Sequence, residues 1–196
     1  MSIASRVAEA VRHLAEKDYE SAMIAVCIAL DATARRQFPD LATNKASKKR
    51  CTAFVKANLD IITSVGFGGA ILAAPGSTLR LKTPGSLQSS AEITELEKII
   101  YETLRCTLLH EASLPGNVAF TEEAFYGEKN GQYYIPAAMV YALLLAVIGA
   151  SCNTGCKTIG DWRIQIGGKA FPLNDLWGEA DRIREHLGIA RSQAMR

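Results

Sequence analysis

Apolar residues recur at helical spacing through most of the first hundred positions. Ile3, Val7, Val11 and Leu14 mark one face of a helix over 3–16. Asp18 is placed to cap the next helix, 19–37, which sets Tyr19, Met23, Val26 and Leu30 on one face and ends before Pro39. A third helix, 45–63, carries Phe54, Leu59 and Ile62 behind a basic start. Five glycines and two prolines then break the pattern over 64–90, a long loop with short strands expected at 70–73 and 78–82. A fourth helix, 91–112, shows Ile93, Leu96, Ile100, Leu104 and Leu108 and stops before Pro115.

The C-terminal third has a different rhythm. Asn130-Gly131 predicts a hairpin turn, and WRIQIGGKAFPL predicts two strands joined at Gly167-Gly168. Between them lies an apolar helix over 136–150. The apolar run 135–151 that contains it is shorter than the roughly 20 residues needed to span a bilayer, so a core or interface helix is expected and no membrane insertion. Asn174 is placed to cap a last helix ending near Gly188. The expected fold is mainly α, with small β-hairpin additions in the loop 64–90 and in the C-terminal third. At 196 residues one domain is the simplest partition, with a helical core over 1–115 and residues 116–196 packed on it.

Charge narrows the function classes. A net charge of +2 excludes a strongly basic nucleic-acid binder, so any RNA contact must be local. The local candidate is 34–50, where Arg35, Arg36, Lys45, Lys48, Lys49 and Arg50 face only Asp40 in charge. No aromatic residues interleave to stack bases, and a solvated loop and helix start is the plainer reading. Five scattered cysteines do not form a disulfide framework, and the amphipathic start is not a secretory signal, so a cytoplasmic setting is expected. Cys152-Asn-Thr-Gly-Cys156 has no second ligand pair, and no metal or cofactor is expected. The glycines at 66–69 come without the lysine of a P-loop. His13 and His186 fall among charges and read as surface residues.

The candidate chemistry lies on the fourth helix. Four residues separate Arg105 from His110 in LRCTLLHE, a step of five positions, in a chain with three histidines. Arginine supplies a fixed charge with forked donors suited to phosphate, and histidine moves protons near neutral pH. Together they suffice for metal-free RNA cleavage. A base deprotonates the 2′-hydroxyl, an acid protonates the leaving 5′-oxygen, and the cation stabilises the phosphoryl oxygens. Five residues on an ideal helix turn about 140° past one revolution, so the two side chains do not stack on one face. The plainer alternatives are an Arg105–Glu102 pair and a histidine facing the helix dipole.

Arg105–His110 resembles the R-x4–6-H motif of the HEPN superfamily, and DYESAMIAVCIALDATARRQFP resembles an early helix of that fold with Asp31 at its acidic position. The resemblance covers roughly residues 1–115. It implies a HEPN-like helical bundle and a homodimer with the motif at its interface. It also implies metal-independent endoribonuclease activity by His110 and Arg105, in defence, toxin–antitoxin action or RNA processing, with a protein antitoxin or other partner from a separate gene. Asp31 would orient His110 or Arg105; a solvent-facing residue or a pair with Arg35 is the plainer reading. Cys106 departs from the Asn, Asp or His that often follows this arginine in catalytic members, and it reads as a packed small residue. Glu111 reads as a rim residue. The alternative is a catalytically inactive helical dimerisation or binding module.

Overall fold

A computed structural model of the chain describes residues 2–41, 46–83 and 93–189. It is mainly α. The described helices are α1 (Ile3–Ala15), α2 (Tyr19–Gln37), α3 (Ala46–Ala57), α4 (Leu59–Gly66), α5 (Leu96–Ile99), α6 (Thr107–Glu111), α7 (Ala138–Gly149) and α8 (Ala180–His186), with a π-helical segment, Ile100–Cys106, between α5 and α6.

Local chemistry explains most of the boundaries. Ser2 and Ser5 form a reciprocal capping box at the start of α1, each backbone N–H donating to the other's hydroxyl at 3.1 Å. Asp18 caps α2 by accepting from the Ser21 N–H at 3.1 Å. The single helix expected over 45–63 is two, because Asn58 leaves helical geometry and its side-chain amide donates to Phe54 O at 2.9 Å. Ala112, in the left-handed conformation at φ 56°, ends α6 three residues before Pro115.

The π-helical segment has a sequence cause. Leu96, Ile100, Leu104 and Leu108 repeat strictly every four residues, and all four are buried. In an α-helix each such step overshoots a turn by about 40°, so three steps would swing Leu108 about 120° away from Leu96. The wider i→i+5 turn holds a four-residue repeat on one face. Burial of these side chains, each worth about 1.5–3 kcal/mol, drives the departure from α geometry.

Among the described residues, seven short strands accompany the helices. β1 (Arg80–Lys82) pairs antiparallel with β2 (Ile93–Glu95). The first strand expected in the glycine-rich loop, 70–73, does not form. The second forms as β1, but its partner lies where the fourth helix was expected to begin. The helix itself starts at Leu96. Part of that loop, 84–90, lies outside the described residues. β3 (Val118–Thr121), β4 (Gly127–Lys129) and β5 (Gln132–Pro136) make a sheet in the order β3-β5-β4. Its β4–β5 hairpin turns at Asn130-Gly131, both with positive φ, as the sequence predicts. The parallel addition of β3 was not legible. β6 (Arg163–Ile166) and β7 (Lys169–Pro172) form the other expected hairpin, turning at Gly167-Gly168.

α7 is apolar on nearly all sides and lies against α2 and α4 in the middle of the core, which explains its hydropathy. No described helix is long and apolar enough to cross a membrane. One hydrophobic cluster runs from Ile3 to Ile189 and joins both parts of the chain. Asn174 does not cap the last helix. It sits in a 3-10 turn, Leu173–Asp175, and holds Thr158 at 2.8–2.9 Å, while α8 begins six residues later. His13 and His186 are half-buried rather than on the open surface. His13 faces Asp18 at 3.4 Å, and His186 stacks on Phe171 at 4.3 Å.

Candidate functional site

Arg105 sits at the end of the π-helical segment and reaches across to α2 and α3. Its Nε donates to Asp31 Oδ2 at 3.1 Å, and its Nη2 donates both to the same oxygen and to Ser47 Oγ at 3.3 Å. The Ser47 hydroxyl in turn donates to Asp31 Oδ1 at 3.5 Å. Tyr101, one turn earlier, lies under the guanidinium at 5.1 Å. Among the described residues Nη1 has no oxygen partner; it meets Cys106 Sγ at 3.8 Å, and sulfur is a weak acceptor. Burial works to lower the Arg105 pKa, but hydrogen bonding to Asp31 and Cys106 outweighs it, and the net shift is upward.

Asp31 is therefore neither a solvent-facing residue nor a partner of Arg35. It anchors Arg105 from mid-α2. Glu102 does not pair with Arg105 either; it accepts from Lys48 on α3. Two adjacent α3 residues, Ser47 and Lys48, thus clamp the π-helical segment.

His110 is exposed in the last turn of α6. Among the described residues its side chain makes no hydrogen bond or ion pair. It does not meet Arg105 or Asp31. The π-helical segment ends before this stretch, so the intervening α turn keeps the angular offset expected from the spacing. Glu111 is exposed beside it, and Cys106 is half-buried against the guanidinium.

The basic stretch does not act as one patch. Arg36 turns toward the C-terminal third, donating to Asn153 Oδ1 at 3.3 Å. Arg50 fastens the chain after α2, donating to the carbonyls of Phe38 and Pro39 at 3.1 Å each. Lys48 is held by Glu102. Arg35 and Lys49 are exposed, without a side-chain partner among the described residues. Lys45 lies outside the described residues.

Two buried polar centres were missed from the sequence. Asn153 is fully buried and donates to Thr33 Oγ1 at 2.9 Å and Val147 O at 2.8 Å, tying α2 to the end of α7. Asp60 on α4 takes Arg184 of α8 through two hydrogen bonds, 2.6 and 3.4 Å. Each is a pair over 100 residues apart in sequence, and no local pattern announces such partners. Cys27 and Cys51 are packed thiols; burial pushes Cys27 up, and Cys51 up to about 12, which makes both poor nucleophiles.

The Rv1289 family model matches residues 2–196, nearly the whole chain. The chain belongs to the Rv1289 family. Among relatives, the uncharacterized protein Mb1320 of Mycobacterium bovis is 22% identical over 203 residues, covering 98% of this chain and 90% of its own. The uncharacterized protein Rv1289 of Mycobacterium tuberculosis matches to the same extent. No solved structure matches the chain. This Rv1289-family chain is therefore similar to its relatives across both the helical part and the C-terminal third, and their descriptions carry no activity.

Proposed function

We propose that this Rv1289-family protein is a HEPN-like, metal-independent endoribonuclease that works as a homodimer. The observation that carries the reading is the state of Arg105. Its guanidinium is fixed by Asp31 and Ser47 through Nε and Nη2, while Nη1 meets only the weakly accepting Cys106 sulfur, which a phosphate oxygen would replace. A cation held in one orientation meets developing phosphoryl charge without reorganising. His110, exposed and unengaged, takes the proton of the 2′-hydroxyl or delivers one to the leaving 5′-oxygen. The 2′-oxygen bonds to phosphorus as the 5′-oxygen departs, giving a 2′,3′-cyclic phosphate and a 5′-hydroxyl. Because Arg105 and His110 of one protomer do not converge, the cleft is assigned to two protomers facing each other. Arg35 and Lys49, without a side-chain partner among the described residues, would meet the RNA backbone. A protein antitoxin is the partner this reading implies.

One observation favours a second reading. The Arg105 charge is already balanced by Asp31 within the fold, as in a structural ion pair, and Cys106 follows it. A catalytically inactive helical binding module would look the same in these respects. Incubating a labelled single-stranded RNA library with the protein in EDTA separates the two. The nuclease yields fragments with 2′,3′-cyclic phosphate ends. Intact RNA after excess enzyme, with the protein folded, supports the inactive module.

A further inference from the structure

A second site lies on the other side of Lys48. A cavity of about 550 Å³ opens between α3 and the start of α5, within the size range of small-molecule pockets. Four lysines line it, Lys48, Lys49, Lys56 and Lys98, against two glutamates, Glu95 and Glu97. Leu41, Ala53 and the lysine stems supply apolar wall.

Glu97 is the unusual member. Its side chain is 2% exposed, and neither carboxylate oxygen has a hydrogen-bond donor. Lys56 Nζ, 3.3 Å away, balances the charge without giving an aligned hydrogen bond. A buried ionised carboxylate accepts only, and leaving it without donors is costly. Glu97 lines the cavity, and a turn of its side chain toward it would bring the sealed carboxylate to hydroxyl or amino hydrogens of a ligand seated there. The lysines ask for the opposite. Lys49 has no counter-ion among the described residues, and Lys98 meets Glu95 in a solvent-accessible i,i+3 contact at 3.3 Å. With Lys48 taken by Glu102 and Lys56 by Glu97, the rim offers Lys49 and the loosely held Lys98, two cations suited to phosphate oxygens.

We infer that this cavity binds a nucleoside monophosphate, with the phosphate on the Lys49 and Lys98 rim, ribose or base donors on the buried Glu97 carboxylate, and the base against the apolar wall. A carboxylate reading ribose hydroxyls is an established mode of nucleotide recognition on other folds. The inference does not need RNA cleavage, since neither Arg105 nor His110 lines the cavity.

Isothermal titration calorimetry with AMP, GMP, CMP and UMP tests it, with the matching nucleosides and inorganic phosphate alongside. At least one nucleotide should bind at submillimolar concentration and more tightly than its nucleoside or phosphate. Glu97→Gln keeps the side chain's shape and should weaken that nucleotide about tenfold, the scale of one hydrogen bond to a charged group, while leaving any phosphate binding alone. Lys49→Ala combined with Lys98→Ala, both on the surface, should weaken nucleotide and phosphate together. Absence of binding by all four nucleotides at millimolar concentration, or binding indifferent to both sets of changes, overturns the assignment.

Discussion

Replacing Asp31 with Asn removes the charge that holds Arg105 while keeping the side chain's size. The cost follows from burial. Side-chain exposure is 20% for Asp31 and 16% for Arg105, between a surface pair and a fully buried one. Exposed pairs contribute about 0–1 kcal/mol, whereas breaking a buried pair costs about 3–5 kcal/mol because one charge is stranded. Asp31→Asn should therefore destabilise by about 2–3 kcal/mol, or lower Tm by roughly 5–10 °C in a chain this long. Arg105→Met should cost less, because the Asp31 carboxylate keeps the Ser47 hydroxyl. A double-mutant cycle by urea denaturation isolates the pair, with an expected coupling of about 1.5 kcal/mol. A coupling below about 0.5 kcal/mol would show that the ion pair does not form, and would remove the fixed guanidinium on which the proposed chemistry rests.

Other consequences are equally measurable. Asp18→Ala should cost about 1 kcal/mol at neutral pH through loss of the α2 cap. Hydrogen bonding from Ser21 holds the Asp18 pKa below its ordinary value, so this contribution is present above the unfolded-state pKa, about 3.9, and is lost as pH falls through the lower folded one. Thermal melts of both proteins should converge on acidification, and a gap that widened instead would contradict the sign. Gly167→Ala places a Cβ 2.2 Å from His186 O at φ 55°, so about 2–4 kcal/mol should be lost and the β6–β7 hairpin should pull away from α8 in hydrogen exchange. Asn153→Ala removes the donors to Thr33 Oγ1 and to the Val147 carbonyl in the core, though the Thr33 hydroxyl keeps Ala29 O, and should cost about 1–3 kcal/mol by chemical denaturation; a neutral effect would mean that water replaces the amide.

The helices were legible where chemistry is local. Asp18 and Pro39 bracket α2, and the two glycine turns place their hairpins, because caps and positive-φ turns depend on neighbouring residues alone. The extent of the fourth helix was misread because Ile93 fits its apolar stripe. In the fold Ile93 is 73% exposed and belongs to a strand paired with Arg80–Lys82. A four-residue repeat held the signal of the π-helical segment, which a 3.6-residue template smooths over. The site divides in the same way. Arg105, His110 and Asp31 stood out by residue type and setting. The partners that fix their roles did not, since Ser47 to Arg105, Lys48 to Glu102 and Arg36 to Asn153 are all contacts across the fold. The basic stretch is the clearest case, because charge counting cannot tell a free lysine from one already paired.

His110 decides between catalysis and structure, because its side chain has no hydrogen bond or ion pair to lose among the described residues. His110→Ala should melt within about 0.5 kcal/mol of the wild type, as surface changes do, and should cut RNA cleavage in EDTA by about 100-fold or more. Unchanged stability with cleavage to 2′,3′-cyclic phosphate ends lost is the expected outcome. Cleavage that continues at the wild-type rate without His110 would contradict it.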